Sequence, residues 1–267
     1  MKKFSMIALA FAAMTFVACG GNKNAQNAEE AQEEKSFEQE QIEASIKMHL
    51  DSIASEVSRL KPLPFLVEGQ DKLVLTDEEK QVKPDYLLDA AVADDAATLS
   101  EKYRVLSALN IDKKVATLYG LPTEDYDKAI AKLAADINDP SFSAVEDPAA
   151  IFETPKPLYE AMNENGRINY FWQLASAALI EQLYVVSQNT EKFLSVVDDE
   201  AASNITFRIV VILDAVNRLS EYDEEIKPVA ESLATLEVLN AVTVDELKGQ
   251  LESAAKDIAA ARANLVK

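Results

Sequence analysis

"INYFWQLASAALIEQLYVV", Ile168 to Val186, is apolar on almost every side when wound at 3.6 residues per turn. A helix of that kind has to be surrounded by protein or by lipid. Asn169, Gln173, Glu181 and Gln182 are too many polar groups for a membrane span. The stretch therefore reads as the central helix of a bundle, and with it the chain reads as all-α. A second segment of the same type, "NITFRIVVILDAVNRL" from Asn204 to Leu219, is its expected core partner.

The pattern stays helical in both directions. In "SFEQEQIEASIKMHLDSIASEVSRL", Ser36 with Gln39 forms a capping-box signal. Ile46, Leu50, Ile53, Val57 and Leu60 then make a seam spaced by fours and threes. Thr76 with Glu79, and Thr98 with Glu101, mark further helix starts. "SEKYRVLSALNIDKKVATLYG" stops at Gly120, and Thr123 is positioned to cap "EDYDKAIAKLAADI". The last helix opens at Thr243 with Glu246 and carries Val244, Leu247, Leu251, Ala254, Ile258, Ala261 and Leu265 on one stripe. Two interruptions stand out. "LKPLPFLVEGQDKLVL" has the marks of a short hairpin, and Asp139 to Pro157 is the longest irregular interval. No repeat period is visible, so the expectation is one compact irregular helical bundle over residues 36–267.

The other end of the chain is of a different character. Lys2 and Lys3 precede "FSMIALAFAAMTFV", a run of fourteen residues that is too short to cross a bilayer, and Ala18 then leads into Cys19, the single cysteine. A basic start, a short apolar run and then cysteine resemble the lipobox of bacterial lipoproteins, with Phe16 where that family usually has Leu or Val. The resemblance implies a cleaved signal peptide over residues 1–18, diacylglyceryl attached to the sulfur of Cys19, and membrane attachment through that lipid. "GGNKNAQNAEEAQEEK", Gly20 to Lys35, holds no large apolar residue, so with Cys19 it reads as a flexible tether over 19–35. Its "AEEAQEE" resembles the acidic export signals of Bacteroidetes surface lipoproteins, which leaves both the periplasmic and the external face of the outer membrane open. "KYRVLSALNIDKKVATLYG" and "ASAALIEQLYVVSQNTEKFL" together resemble a group of uncharacterised all-helical Bacteroidetes lipoproteins. That likeness implies a fold and no catalytic residues.

Charge and composition remove several function classes. After loss of Lys2 and Lys3 the chain has 24 basic and 46 acidic residues, a formal charge of −22. Such a surface repels nucleic acid and anionic head groups, so no nucleic-acid partner is expected. One cysteine allows no internal disulfide. One histidine, His49, allows neither a Ser-His-Asp triad nor a two-histidine zinc motif in one chain. Gly69, Gly120, Gly166 and Gly249 are too scattered for a phosphate cradle, and no cofactor is expected.

The remaining motifs are weak. Ser253 and Lys256 make an S-x-x-K pair, without the S-D-N and K-T-G motifs of penicillin-binding enzymes. Asp136, Asn138 and Asp147 fall at positions one, three and twelve of a calcium loop, but Ser141 replaces its glycine and Pro140 occupies a ligand position, so no metal is expected. Glu181 lies in so apolar a helix that it needs a partner, and Arg208 and Arg218 on the other core segment are the expected ones, with Asp214 already within reach of Arg218. Phe142, Phe152, Tyr159, Tyr170, Phe171 and Trp172 span the proline-rich interval and the core helix. They either form a ligand or partner surface or pin the interval to the bundle. The sequence thus points to a lipid-anchored binding or structural module of the envelope, with a protein or glycan partner. A hydrolase working with carboxylates alone is the competing class.

Overall fold

The computed structural model describes residues 44–45, 48–49, 52–53, 55–60 and 73–266. Cys19, the tether, the Ser36 capping signal and most of the expected hairpin lie outside them. Contacts divide the chain into two units, Met1–His49 and Leu50–Lys267. In the first, residues 44–45 and 48–49 are helical.

The second unit is a helical bundle, with no strand among its described residues. Its α-helices are α1 (Asp77–Gln81), α2 (Val92–Asp95), α3 (Leu99–Leu118), α4 (Glu124–Ile137), α5 (Pro155–Glu164), α6 (Ile168–Gln188), α7 (Thr190–Phe193), α8 (Asp199–Leu219), α9 (Lys227–Leu233) and α10 (Val244–Leu265). Residues 52–53 and 55–57 are also helical, and Val57 and Leu60 are buried.

Helix α6 is the axis of the fold. It packs most extensively against α3 and next against α10, with α5 and α8 also against it. Every residue from Phe171 to Leu183 is buried. Helix α10 presents the expected stripe: Leu247, Leu251, Ala254, Ile258, Ala261 and Leu265 are buried, while Val244 at its start is half-buried.

Local chemistry sets most of the helix ends. Thr76, Thr98 and Thr243 each accept from the backbone N–H three residues on, and the glutamate there reaches back to the cap N–H. Thr123 differs, since its side chain makes no capping bond to α4. Gly120, at φ +69°, takes the left-handed conformation that ends α3. In place of one long irregular interval, 139–157 holds a 3-10 turn over Pro140–Ala144 and the start of α5. Pro155 occupies the first helical position, where its missing N–H costs nothing.

Candidate functional site: a buried charge cluster

Of the polar side chains buried on α6, three each receive an arginine from a different neighbour. Gln173 accepts from Arg104 Nη1 of α3 at 2.7 Å, and Gln182 accepts from Arg208 Nη1 of α8 at 2.9 Å. Glu181 is bound by Arg262 of α10. The Arg262 Nε lies 2.9 and 2.8 Å from the two carboxylate oxygens, and its Nη2 lies 2.7 Å from Oε1. The pairing expected from sequence is therefore corrected. Arg208 bonds the adjacent Gln182, and Arg218 bonds Asp214 on the exposed side of α8 at 3.0 Å. Consecutive residues on a helix point about 100° apart, so Glu181 and Gln182 face different neighbours.

Burial alone lowers the pKa of Arg208, to about 9, so its guanidinium stays charged at neutral pH. It lies 4.8 Å from the centre of the Phe152 ring. A cavity of about 10 Å³, roughly one water in size, is lined by Asn110, Lys114, Phe152, Glu153 and Gln182 among others.

A second carboxyl completes the Glu181 site. Asp112 of α3 has a fully buried side chain, and its Oδ2 lies 3.7 Å from Arg262 Nη2. Burial raises the Asp112 pKa well above the ordinary range, and the charge of neighbouring Glu181 raises it further. Burial also raises Glu181, against the opposing pull of Arg262. The Asp112 Oδ2 accepts from the Leu88 N–H at 2.7 Å, while Oδ1 meets no donor among the described residues. Two carboxyls sharing one guanidinium are neutral overall with one proton between them and carry one negative charge without it. The protonated arrangement is favoured where water is excluded. Around the cluster, Arg262 sits 4.1 Å from the Tyr184 ring centre, its Nη2 donates to Tyr86 O at 3.2 Å, and the Tyr126 hydroxyl donates to Leu88 O at 2.7 Å. The pKa of Tyr126 is raised to about 12, by burial first and by the Asp112 carboxyl next.

Asp112 and Arg262 were not singled out from the sequence. Asp112 falls on the buried stripe of α3 with Val105, Leu109 and Ala116, and Arg262 falls four residues after Ile258 on α10. A charge at such a position was the available signal.

The aromatic set does not form a surface. Phe152, Tyr159, Phe171 and Trp172 are buried, and Phe142 and Tyr170 are half-buried. Tyr159, Phe171 and Trp172 meet edge-to-face with centroids 5.1–6.1 Å apart, and Tyr170 stacks on Tyr103 at 4.6 Å. The Tyr103 hydroxyl bonds Asp139, which itself caps the 3-10 turn through Ser141 N. These rings fasten the 139–157 interval to the bundle.

His49 is half-buried on a helix. Ser253 is exposed on α10, its hydroxyl turned to Gly249 O at 2.8 Å, and Lys256 is exposed one turn on. Among the described residues no group of three His, Cys, Asp or Glu is placed to hold a metal ion. Among them, too, no helix is long and apolar enough to cross a membrane. A shallow depression of about 430 Å³ runs along α10, lined by Val238, Asp245, Gly249, Ser253 and Asp257 among others. No family model, curated protein or solved structure matches this chain.

Proposed function

We propose that the chain is a lipid-anchored module of the bacterial cell envelope, carried on the outer membrane by acyl groups on Cys19 and acting through binding or structure. The reading rests first on the succession Lys2, Lys3, apolar run, Ala18, Cys19 and polar tether. Two or three acyl chains give stable anchoring without any spanning helix.

One observation favours a binding or structural role over a carboxylate hydrolase. Glycosidases hold two carboxyls about 5–10 Å apart with the sugar between them. Among the described residues the strongly perturbed carboxyl pair, Asp112 and Glu181, is fully buried and an arginine bridges it. A group already bonded to Arg262 and shut from water has no path to a substrate proton. The partner of the module is an envelope protein or glycan met on the outer face of the bundle.

Metabolic labelling with a palmitate analogue tests the anchor. The wild-type chain takes up label and partitions into detergent, whereas Cys19→Ser takes up no label and does not partition once its signal is removed. Label on the serine variant, or detergent partitioning after its signal is removed, would refute the lipoprotein reading.

A further inference from the structure

We propose that the segment from Pro84 to Ala91 is a proton-linked latch, held closed by one proton shared between Asp112 and Glu181 and released when that proton is lost. The segment is non-helical and joins α1 to α2. Three bonds tie it down, and each ends on the buried cluster or its immediate neighbour. The Leu88 N–H donates to Asp112 Oδ2 at 2.7 Å, Tyr86 O accepts from Arg262 Nη2 at 3.2 Å, and Leu88 O accepts from the Tyr126 hydroxyl at 2.7 Å. The Tyr86 ring also meets Tyr184 edge-to-face at 6.4 Å.

Every element around Asp112 contributes a titratable group. Helix α6 brings Glu181 and Tyr184, α10 brings Arg262, α4 brings Tyr126, and the cap residue just after α3 brings Tyr119. The segment brings Asp85, Tyr86 and Asp89. Only one of these, Arg262, is a cation. With the proton in place the two carboxyls and the guanidinium balance. Without it a net negative charge is sealed among tyrosines, and the least costly way to admit water is to lift the segment that covers it. Asp112 Oδ1, buried and without a donor, is the free seat for the proton.

The sign follows from the raised Asp112 pKa. The closed form binds the proton more tightly than an open, hydrated form, whose carboxyl returns to its ordinary value near 3.8. Closure is therefore complete at acid pH and weakens as pH rises above that value towards the closed-form value. While opening releases one proton, its equilibrium constant grows about tenfold per pH unit.

Hydrogen exchange of the full chain, corrected for intrinsic rates, measures this at the Leu88 amide. Protection is expected to fall from pH 5 to pH 7, with a slope of up to about tenfold per pH unit. The Leu179 amide in the core of α6 should not follow. Asp112→Asn, whose amide mimics the protonated acid, should hold Leu88 protection constant over the same range. Tyr126→Phe keeps the carboxyl pair, so it should lower protection at every pH and leave the slope intact. The latch is overturned by a flat wild-type profile, by an Asp112→Asn profile that falls in parallel, by a Leu179 amide that falls in step, or by loss of the slope in Tyr126→Phe.

Discussion

Replacing Glu181 by glutamine removes the charge that Arg262 faces and changes almost nothing in shape. Removing one member of a fully buried ion pair costs roughly 3–5 kcal/mol, because the survivor is left uncompensated. Two features of the site reduce that figure. The Arg262 side chain keeps 14 % of its exposure, and Asp112 remains 3.7 Å away, free to ionise once Glu181 no longer competes with it. The Tyr184 ring, 4.1 Å from the guanidinium, retains a further cation–π contact. The expected loss is therefore about 2–3 kcal/mol at neutral pH. Urea melts of both forms, extrapolated linearly, measure it. The double change Glu181→Leu with Arg262→Met removes both charges together and should cost less than Glu181→Gln alone, since an apolar pair of similar volume is often neutral or stabilising. A Glu181→Gln protein within ~0.5 kcal/mol of wild type would refute this account of the cluster. So would a double variant weaker than the single one.

The core and the register of the helices offer two further tests. Leu179 is fully buried at the centre of α6, so Leu179→Ala should cost about 2–5 kcal/mol in the same urea assay, and an unchanged midpoint would remove α6 from the centre of the fold. Changing Gln173, Glu181 and Gln182 to Leu together with Arg104, Arg208 and Arg262 to Met should retain helical circular dichroism. The amide spectrum should lose the sharp dispersion of a single packed state, and a spectrum as dispersed as the parent's would show that the polar core does not select the register.

Features decided within a few residues were legible in the sequence. Thr76, Thr98 and Thr243 cap their helices because the glutamate three positions on is enough to close the box. The apolar run at 168–186 and the stripe from Leu247 to Leu265 bury themselves wherever their neighbours lie. The partner of Glu181 was not legible, because it depends on which helix stands on which side of α6. Arg208 lies on the helix that sequence reasoning chose, yet a rotation of one residue delivers it to Gln182 instead. The role of the aromatic rings depends likewise on whether the 139–157 interval stands off the bundle or folds onto it. Here Tyr103 and Asp139 anchor it, and the rings go inward.

An apolar helix has one weakness in a bundle of this size: leucine and alanine faces fit one another in several rotations and several neighbours. Helix α6 answers it with three polar side chains, each matched to an arginine on a different helix. Gln173 takes Arg104 from α3, Glu181 takes Arg262 from α10, and Gln182 takes Arg208 from α8. A slip by one residue would break these matches and strand polar groups of α6 that have been taken out of water. Arg104 extends the rule to the end of the chain, since its Nε also donates to Leu265 O at 2.8 Å and so closes the last turn of α10. Taking the Arg208 guanidinium fully out of water, and those of Arg104 and Arg262 partly so, stabilises less than an apolar core of equal volume would. The arrangement is intelligible if it selects one packing among many, and the same placement puts two carboxyls on a single arginine beneath the segment at Leu88. The polar core that fixes the neighbours of α6 is thus also what makes one part of the surface sensitive to a proton.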